Sequence, residues 1–198
     1  MYRLLIPLVL ALSSCAPKAL SFLIDESAHF EDYQTYRLIN TRIDRTNLSK
    51  EGRDILDVLE ETIRAKMAER GYEESNLDPD LIMRYDIVTS QHSQTNYSAS
   101  PFGPPVTTTN YMESLIIMDF TDTYHDKLFW QSSYDMRQES KSLKKEFATM
   151  EAVSEIFYTY PYRAGDSEPD EELGDHRAGR KQLKALKKQA KIDARQNR

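Results

Sequence analysis

The chain's only cysteine, Cys15, stands directly behind an apolar run, and that placement decides which residues are free to fold. Arg3 puts one positive charge near the N-terminus, residues 4–12 are apolar, and Ser13 and Ser14 are small. Charge, apolar core and small residues in that order read as an export signal. The run is too short for a membrane-spanning helix, which needs about 20 residues. Residues 1–14 are expected to be removed, so the fold is sought after Cys15. A lone cysteine also excludes an intramolecular disulfide, a four-cysteine zinc site and a redox pair.

Leu12-Ser13-Ser14-Cys15 resembles the bacterial lipobox. The resemblance implies that Leu12, Ser13 and Ser14 are recognition positions. It implies that the Cys15 thiol carries diacylglycerol and that its new amine is acylated. Stable anchoring takes about two acyl chains, which a triacylated cysteine exceeds. Ala16 stands where an Asp would favour the inner membrane. The expectation is an outer-membrane anchor facing the periplasm, with membrane lipid as the partner of acylated Cys15.

Beyond the signal, the chain divides into a tether (15–28), a folded domain (29–162) and a charged tail (163–198). Hydrophobic content of 39% lies below the about 45–50% of globular chains, so part of the sequence is expected to stay outside a core. Residues 33–39 read as a strand from their aromatic and β-branched content. In residues 54–70, Ile55, Leu59, Ile63 and Met67 recur every fourth position, a helical stripe. Asp54 and Asp57 suit the positive end of that helix, Lys66 and Arg70 its negative end. Glu60 and Arg64 are spaced to pair, and Gly71 is placed to terminate the helix.

After the turn at 78–80, Leu81, Met83, Tyr85 and Ile87 alternate with Ile82, Arg84, Asp86 and Val88, a period of two. Residues 90–110 are polar, with Phe102-Gly103-Pro104-Pro105 at their centre, and read as a long mobile loop. Residues 111–121 form a strand that pairs as a hairpin with one carrying Leu128, Trp130, Ser132, Tyr134 and Met136. Phe147, Met150, Val153 and Phe157 give a second helical stripe, flanked by Ile156 and Tyr160 and stopped by Pro161. The order β-α-β-β-β-α predicts an α+β, two-layer sandwich: a mostly antiparallel sheet with two helices on one face.

A second resemblance rests on Phe30, Tyr33, Thr35 and Tyr36; Gly71-Tyr72; Pro79-Asp80-Leu81; Asp122 with Lys127, Leu128 and Trp130; and Tyr160-Pro161. In this order and spacing they resemble a bacterial lipoprotein family catalogued as domain of unknown function 4136, over about residues 28–162. The resemblance implies an envelope lipoprotein with an α+β domain, no enzymatic activity and no agreed ligand. The polar stretch 90–110 and the tail depart from the family's pattern.

Asp119, Asp122, His125 and Asp126 are the densest group of possible metal ligands. Two carboxylates and an imidazole suit a divalent ion. The same residues are ordinary in a tight turn, where Asp bonds its own backbone. The turn reading is preferred, and no metal or other cofactor is expected. His29, His92 and His176 are scattered. No Gly-x-Ser-x-Gly or glycine-rich phosphate loop occurs, so no enzyme is expected. Trp130 and the aromatic run 158–162 suit stacking on sugar or lipid, but packing is the preferred role.

Charge separates body from tail. Residues 163–198 hold ten basic and seven acidic side chains, against sixteen and twenty-five in residues 1–162. Arg177, Arg180, Lys181, Lys184, Lys187, Lys188 and Lys191 are candidate contacts for an anionic envelope polymer, lipid headgroup or acidic protein. Nucleic acid is not expected for an exported chain. The sequence thus points to a non-enzymatic binding or envelope-assembly protein. The alternatives are an accessory subunit of an envelope transport or assembly complex, and, further off, a metal-assisted hydrolase.

Overall fold

The computed structural model describes residues 20–40, 43, 45–97, 106–136, 145–175, 188 and 192. Leu12, Ser13, Ser14, Cys15, Arg177, Arg180, Lys181, Lys184, Lys187 and Lys191 lie outside them. Lys188 is described as helical and exposed.

The α+β expectation holds. Strands β1 (Leu20–Ile24), β2 (Thr35–Asn40), β3 (Glu73–Glu74), β4 (Leu81–Tyr97), β5 (Val106–Asp122) and β6 (Lys127–Asp135) form one sheet, ordered β1-β6-β5-β4-β2-β3. The pairs β1–β6, β6–β5 and β5–β4 are antiparallel; β2 runs parallel to β4 and to β3. Helices α1 (Lys50–Glu69) and α2 (Lys145–Phe157) cover one face, and a short α3 (Glu171–Gly174) follows.

Helix α1 lays Leu56, Leu59, Ile63 and Met67 into the core, each contributing about 1.5–3 kcal/mol by burial. It starts one turn earlier than its stripe suggests. Ser49 caps it, its hydroxyl accepting from the Gly52 N–H at 3.1 Å, and Glu51 rather than Asp54 occupies the first turn. Its end is as expected. Gly71 is left-handed at φ 84°, and the N–H groups of Gly71 and Tyr72 return to the carbonyls of Ala68 and Met67. The Glu60–Arg64 pair forms at 3.4 Å.

Helix α2 buries Ala148, Thr149, Ala152, Val153, Ile156 and Phe157, while Phe147 and Met150 sit at the margin of its buried face. It packs on both the sheet and α1, so its buried face is wider than a single stripe and admits small residues.

Four sequence readings change. Leu20–Ile24, placed in the tether, is an edge strand paired with β6. It escaped notice because only its outermost residues are half-buried, and no apolar alternation results. The stretch 90–110, read as a loop, is largely strand: β4 and β5 stay in register out to Tyr97↔Val106. Beyond Thr89 the ribbon has neither β6 nor β2 beside it. A bulge between Phe120 and Thr121 shifts the β5–β6 register, so Phe129 is buried and Leu128 exposed, opposite to simple alternation. Finally, residues 163–175, assigned to the tail, fold against the body. Gly165 turns at φ 73° and donates to the Tyr33 carbonyl at 2.9 Å. Arg163 pairs with Asp170 at 2.5 Å, and Leu173 is buried.

The core is aromatic at one end of the sheet. Phe30 stacks on Tyr162 at 3.7 Å, and Phe120, Phe129, Trp130 and Tyr160 pack around them. Trp130 and Tyr160 are fully buried, which is the packing role. The Trp130 indole donates to the Thr159 hydroxyl at 3.1 Å.

Arg70 closes this core. Its side chain is only 2% exposed. It donates to the carbonyls of Tyr160 at 3.0 Å, Lys66 at 3.0 Å and Phe157 at 2.8 Å, and its guanidinium lies 5.0 Å from the Phe157 ring centroid. Burial pushes the guanidinium down to about 10, which leaves it cationic at neutral pH. Arg70→Ala strands these buried carbonyls and should cost about 3 kcal/mol or more. Arg70→Lys should recover only part, because an ammonium lacks the planar fork that reaches all three. Urea unfolding of the two variants measures both effects.

Candidate functional site

Two depressions lie at opposite ends of the sheet. Their nearest lining residues on β5, Asp122 and Ile116, are six positions apart, about 20 Å along a strand.

The first is polar and sits at the β5–β6 turn. It has a volume of about 430 Å³, and its lining includes His29, Tyr33, Asp122, His125, Asp126 and Lys127. Asp122 is saturated. One carboxylate oxygen accepts the N–H groups of Tyr124 at 2.8 Å and His125 at 3.1 Å. The other accepts the Tyr33 hydroxyl at 3.0 Å and lies 2.7 Å from His125 Nδ1. Both oxygens are thereby engaged. Asp126 occupies the turn itself at φ 50°.

Asp119 is on the other face of β5, 3.4 Å from the Arg84 guanidinium. Burial pushes its carboxyl up against the pull of that cation. The four sequence-proposed ligands therefore do not converge. Among the described residues, no three His, Cys, Asp or Glu side chains are grouped to hold a metal ion.

The residues that carry the family resemblance gather at this polar end, mostly in internal bonds. The Asp80 carboxylate accepts from the N–H groups of Gln34 and Thr35 and from the Thr35 hydroxyl at 2.8–2.9 Å. Tyr72 and Tyr160 share a hydrogen bond of 2.8 Å. Tyr33 binds Asp122, and Lys127 pairs with Asp25 at 2.6 Å. These side chains hold the hairpin, the segment before β2 and the helix ends together.

The second depression is apolar, with a volume of about 530 Å³, within the usual range of small-molecule sites. It opens between the first turns of α1, the start of α2 and the distal parts of β4, β5 and β6. Ile43, Leu48, Ile55, Ile87, Ile116 and Met136 supply its aliphatic wall, and among the described residues Lys145 is its one charged lining residue. A faint signal for it is present in the sequence: Ile43 and Leu48 interrupt an otherwise polar stretch before α1, with no stripe to belong to. Ile55, Ile87, Ile116 and Met136 read only as core.

The wiring of Asp122 has a pH consequence. Burial works to raise its carboxyl, but the bonds from His125, Tyr33 and Tyr124 outweigh it and hold it below the usual carboxylate range. A carboxyl lowered in the folded state contributes stability that is full above its unfolded value of about 3.9 and lost as pH falls through the folded value. Asp122→Asn should lower stability at pH 7 and flatten its fall below about pH 4. Urea midpoints from pH 7 to pH 2 measure this.

Solved structures that are similar to this chain match it at low identity. A PDZ domain protein from Parabacteroides distasonis is 12% identical with a TM-score of 0.50, covering 73% of this chain and 35% of its own. The chain thus spans about a third of that protein's length. The PelC dodecamer from Paraburkholderia phytofirmans is 10% identical, with a TM-score of 0.42 and coverages of 73% and 97%. A minor lipoprotein from Acinetobacter baumannii is 12% identical, with a TM-score of 0.29 and coverages of 63% and 90%. No curated protein matches the sequence. The sequence profile of the domain of unknown function DUF4136 matches residues 23–162, well over half of the chain, and the chain belongs to that family.

Proposed function

We propose that this protein is a lipoprotein of the outer membrane, held by acylated Cys15 and facing the periplasm, whose domain binds a ligand without transforming it. The observation that carries the reading is how few residues separate the Cys15 motif from β1, whose first residue lies beside the apolar cavity. Cys15 precedes the start of β1 by five residues, and Leu20 is paired with Tyr134, two residues from Met136 in the cavity wall. Five residues reach at most about 18 Å. On this reading the chain leaves the membrane at the end of the domain that holds the cavity, and the saturated polar end faces away from the membrane. Binding suits an apolar wall, because its lining offers no paired acid and base.

The basic tail adds an electrostatic contact with anionic envelope material through Arg177, Arg180, Lys181, Lys184, Lys187, Lys188 and Lys191. Metabolic labelling with an alkyne fatty acid should mark the wild-type chain and not Cys15→Ser; equal labelling of both sinks the anchor. Deleting residues 176–198 should leave labelling intact and reduce retention on envelope fragments at low salt, with little difference at high salt.

A second reading, an accessory subunit of an envelope complex, is favoured by β1. It is an edge strand, and Phe22 and Leu23 are 58% and 60% exposed. An edge carrying exposed apolar side chains and no charge invites a partner strand. A photo-cross-linker at Phe22 in intact cells should then capture one discrete protein; capture of lipid alone, or of nothing, overturns it.

A further inference from the structure

We infer that the apolar cavity binds one acyl chain of a single-chain anionic amphiphile, with the acyl chain between the helices and the sheet and the headgroup at Lys145. The inference deepens the reading of this domain as a binding module by naming the ligand class.

Three observations carry it. The wall is built from aliphatic side chains of five separate segments: Ile43 and Leu48 before α1, Ile55 on α1, Ile87 on β4, Ile116 on β5 and Met136 after β6. Aliphatic walls without an aromatic ring suit a flexible hydrocarbon better than a planar ring. At about 530 Å³ the space is that of one small molecule. It exposes apolar surface that an acyl chain would remove from water.

The polarity of the rim is the second observation. Thr89, Ser114 and Thr149 are uncharged, and among the described residues Lys145 is the only charge in the lining. Its ammonium lies 2.8 Å from the Glu51 carboxylate, and both side chains are about two-thirds exposed, at 68% and 66%. Such a surface pair is weak, so Lys145 can exchange Glu51 for a ligand carboxylate at little loss. An apolar interior with a cationic lip is the complement of a fatty-acid-like molecule.

The third observation is the route of entry. The cavity lies at the end of the sheet where β1 begins, paired with the end of β6. On the anchored reading, that end faces the bilayer. A chain leaving the membrane surface reaches the lip without crossing the domain.

The test uses the chain from Ala16 to Arg198, which holds every described element and no lipid of its own. It therefore stands apart from the labelling experiment: a chain that binds but is not labelled keeps the cavity and loses the anchor. The probe is cis-parinaric acid, displaced by decanoate, dodecanoate, tetradecanoate and hexadecanoate. Saturable one-to-one binding is expected, tightening about fourfold per added methylene until the cavity is full. Ala148→Phe puts a ring into the cavity from α2 and should weaken binding at least tenfold with melting unchanged or raised. Lys145→Glu is a surface change; it should weaken the carboxylates about tenfold and leave the matching alcohols unaffected. Failure of the probe to saturate, affinity independent of chain length, or equal loss of acids and alcohols in Lys145→Glu overturns the inference.

Discussion

Arg70 lies where the carboxyl ends of α1 and α2 meet, and the two-helix layer depends on it. The helices run parallel: Arg70, just past the end of α1, reaches Phe157 at the end of α2, while Lys145 and Glu51 join their starts. Parallel neighbours bring two negative dipole ends together, which is unfavourable without a cation between them. Arg70 bonds to carbonyls of both helix ends at once. A buried cation without a carboxylate at hydrogen-bond distance is usually costly; here the two helix termini take the carboxylate's place. The Gly71 turn then carries the chain to Tyr72, which bonds to Tyr160. One residue thus satisfies the helix ends, covers Phe157 and fixes how the two helices sit on the sheet.

The legible parts of the sequence were those with one buried face. The stripe of α1 and the alternation of β4 from Leu81 to Ile87 arise because one side meets the core and the other meets water. Gly71 was legible because a left-handed residue favours glycine. The signal fades where burial is absent or two-sided. The outer ribbon of β4 and β5 has neither β6 nor β2 beside it, and its run of Thr, Ser, Gln and Asn residues reads as loop. Helix α2 meets both sheet and α1, so Ala148 and Ala152 are buried where a stripe would call for large residues. A single inserted residue at the β6 bulge exchanged Leu128 for Phe129. The cavity was the least legible element, because its wall is assembled from five segments, and each contributes only one or two aliphatic residues that any core would use.

The two ends of the sheet divide the work. At the polar end, Asp80, Asp122, Tyr33, Thr35, Tyr72 and Tyr160 are consumed in bonds to one another and to backbone. Residues so occupied hold a fold, and they account for the family resemblance without reference to a reaction. At the apolar end the lining is ordinary aliphatic residues, open to solvent.

The anchored reading also sets how the domain stands. Leu20 is level with Tyr134, which pairs with Ile116, itself opposite Ile87. From Ile87 the ribbon runs on to Tyr97, about 34 Å in the same direction. The link from Leu20 back to Cys15 spans at most about 18 Å. A ribbon pointing straight at the bilayer would reach well past the surface that the link allows. On that reading the strands would incline from the membrane normal by roughly 60° or more, given these lengths.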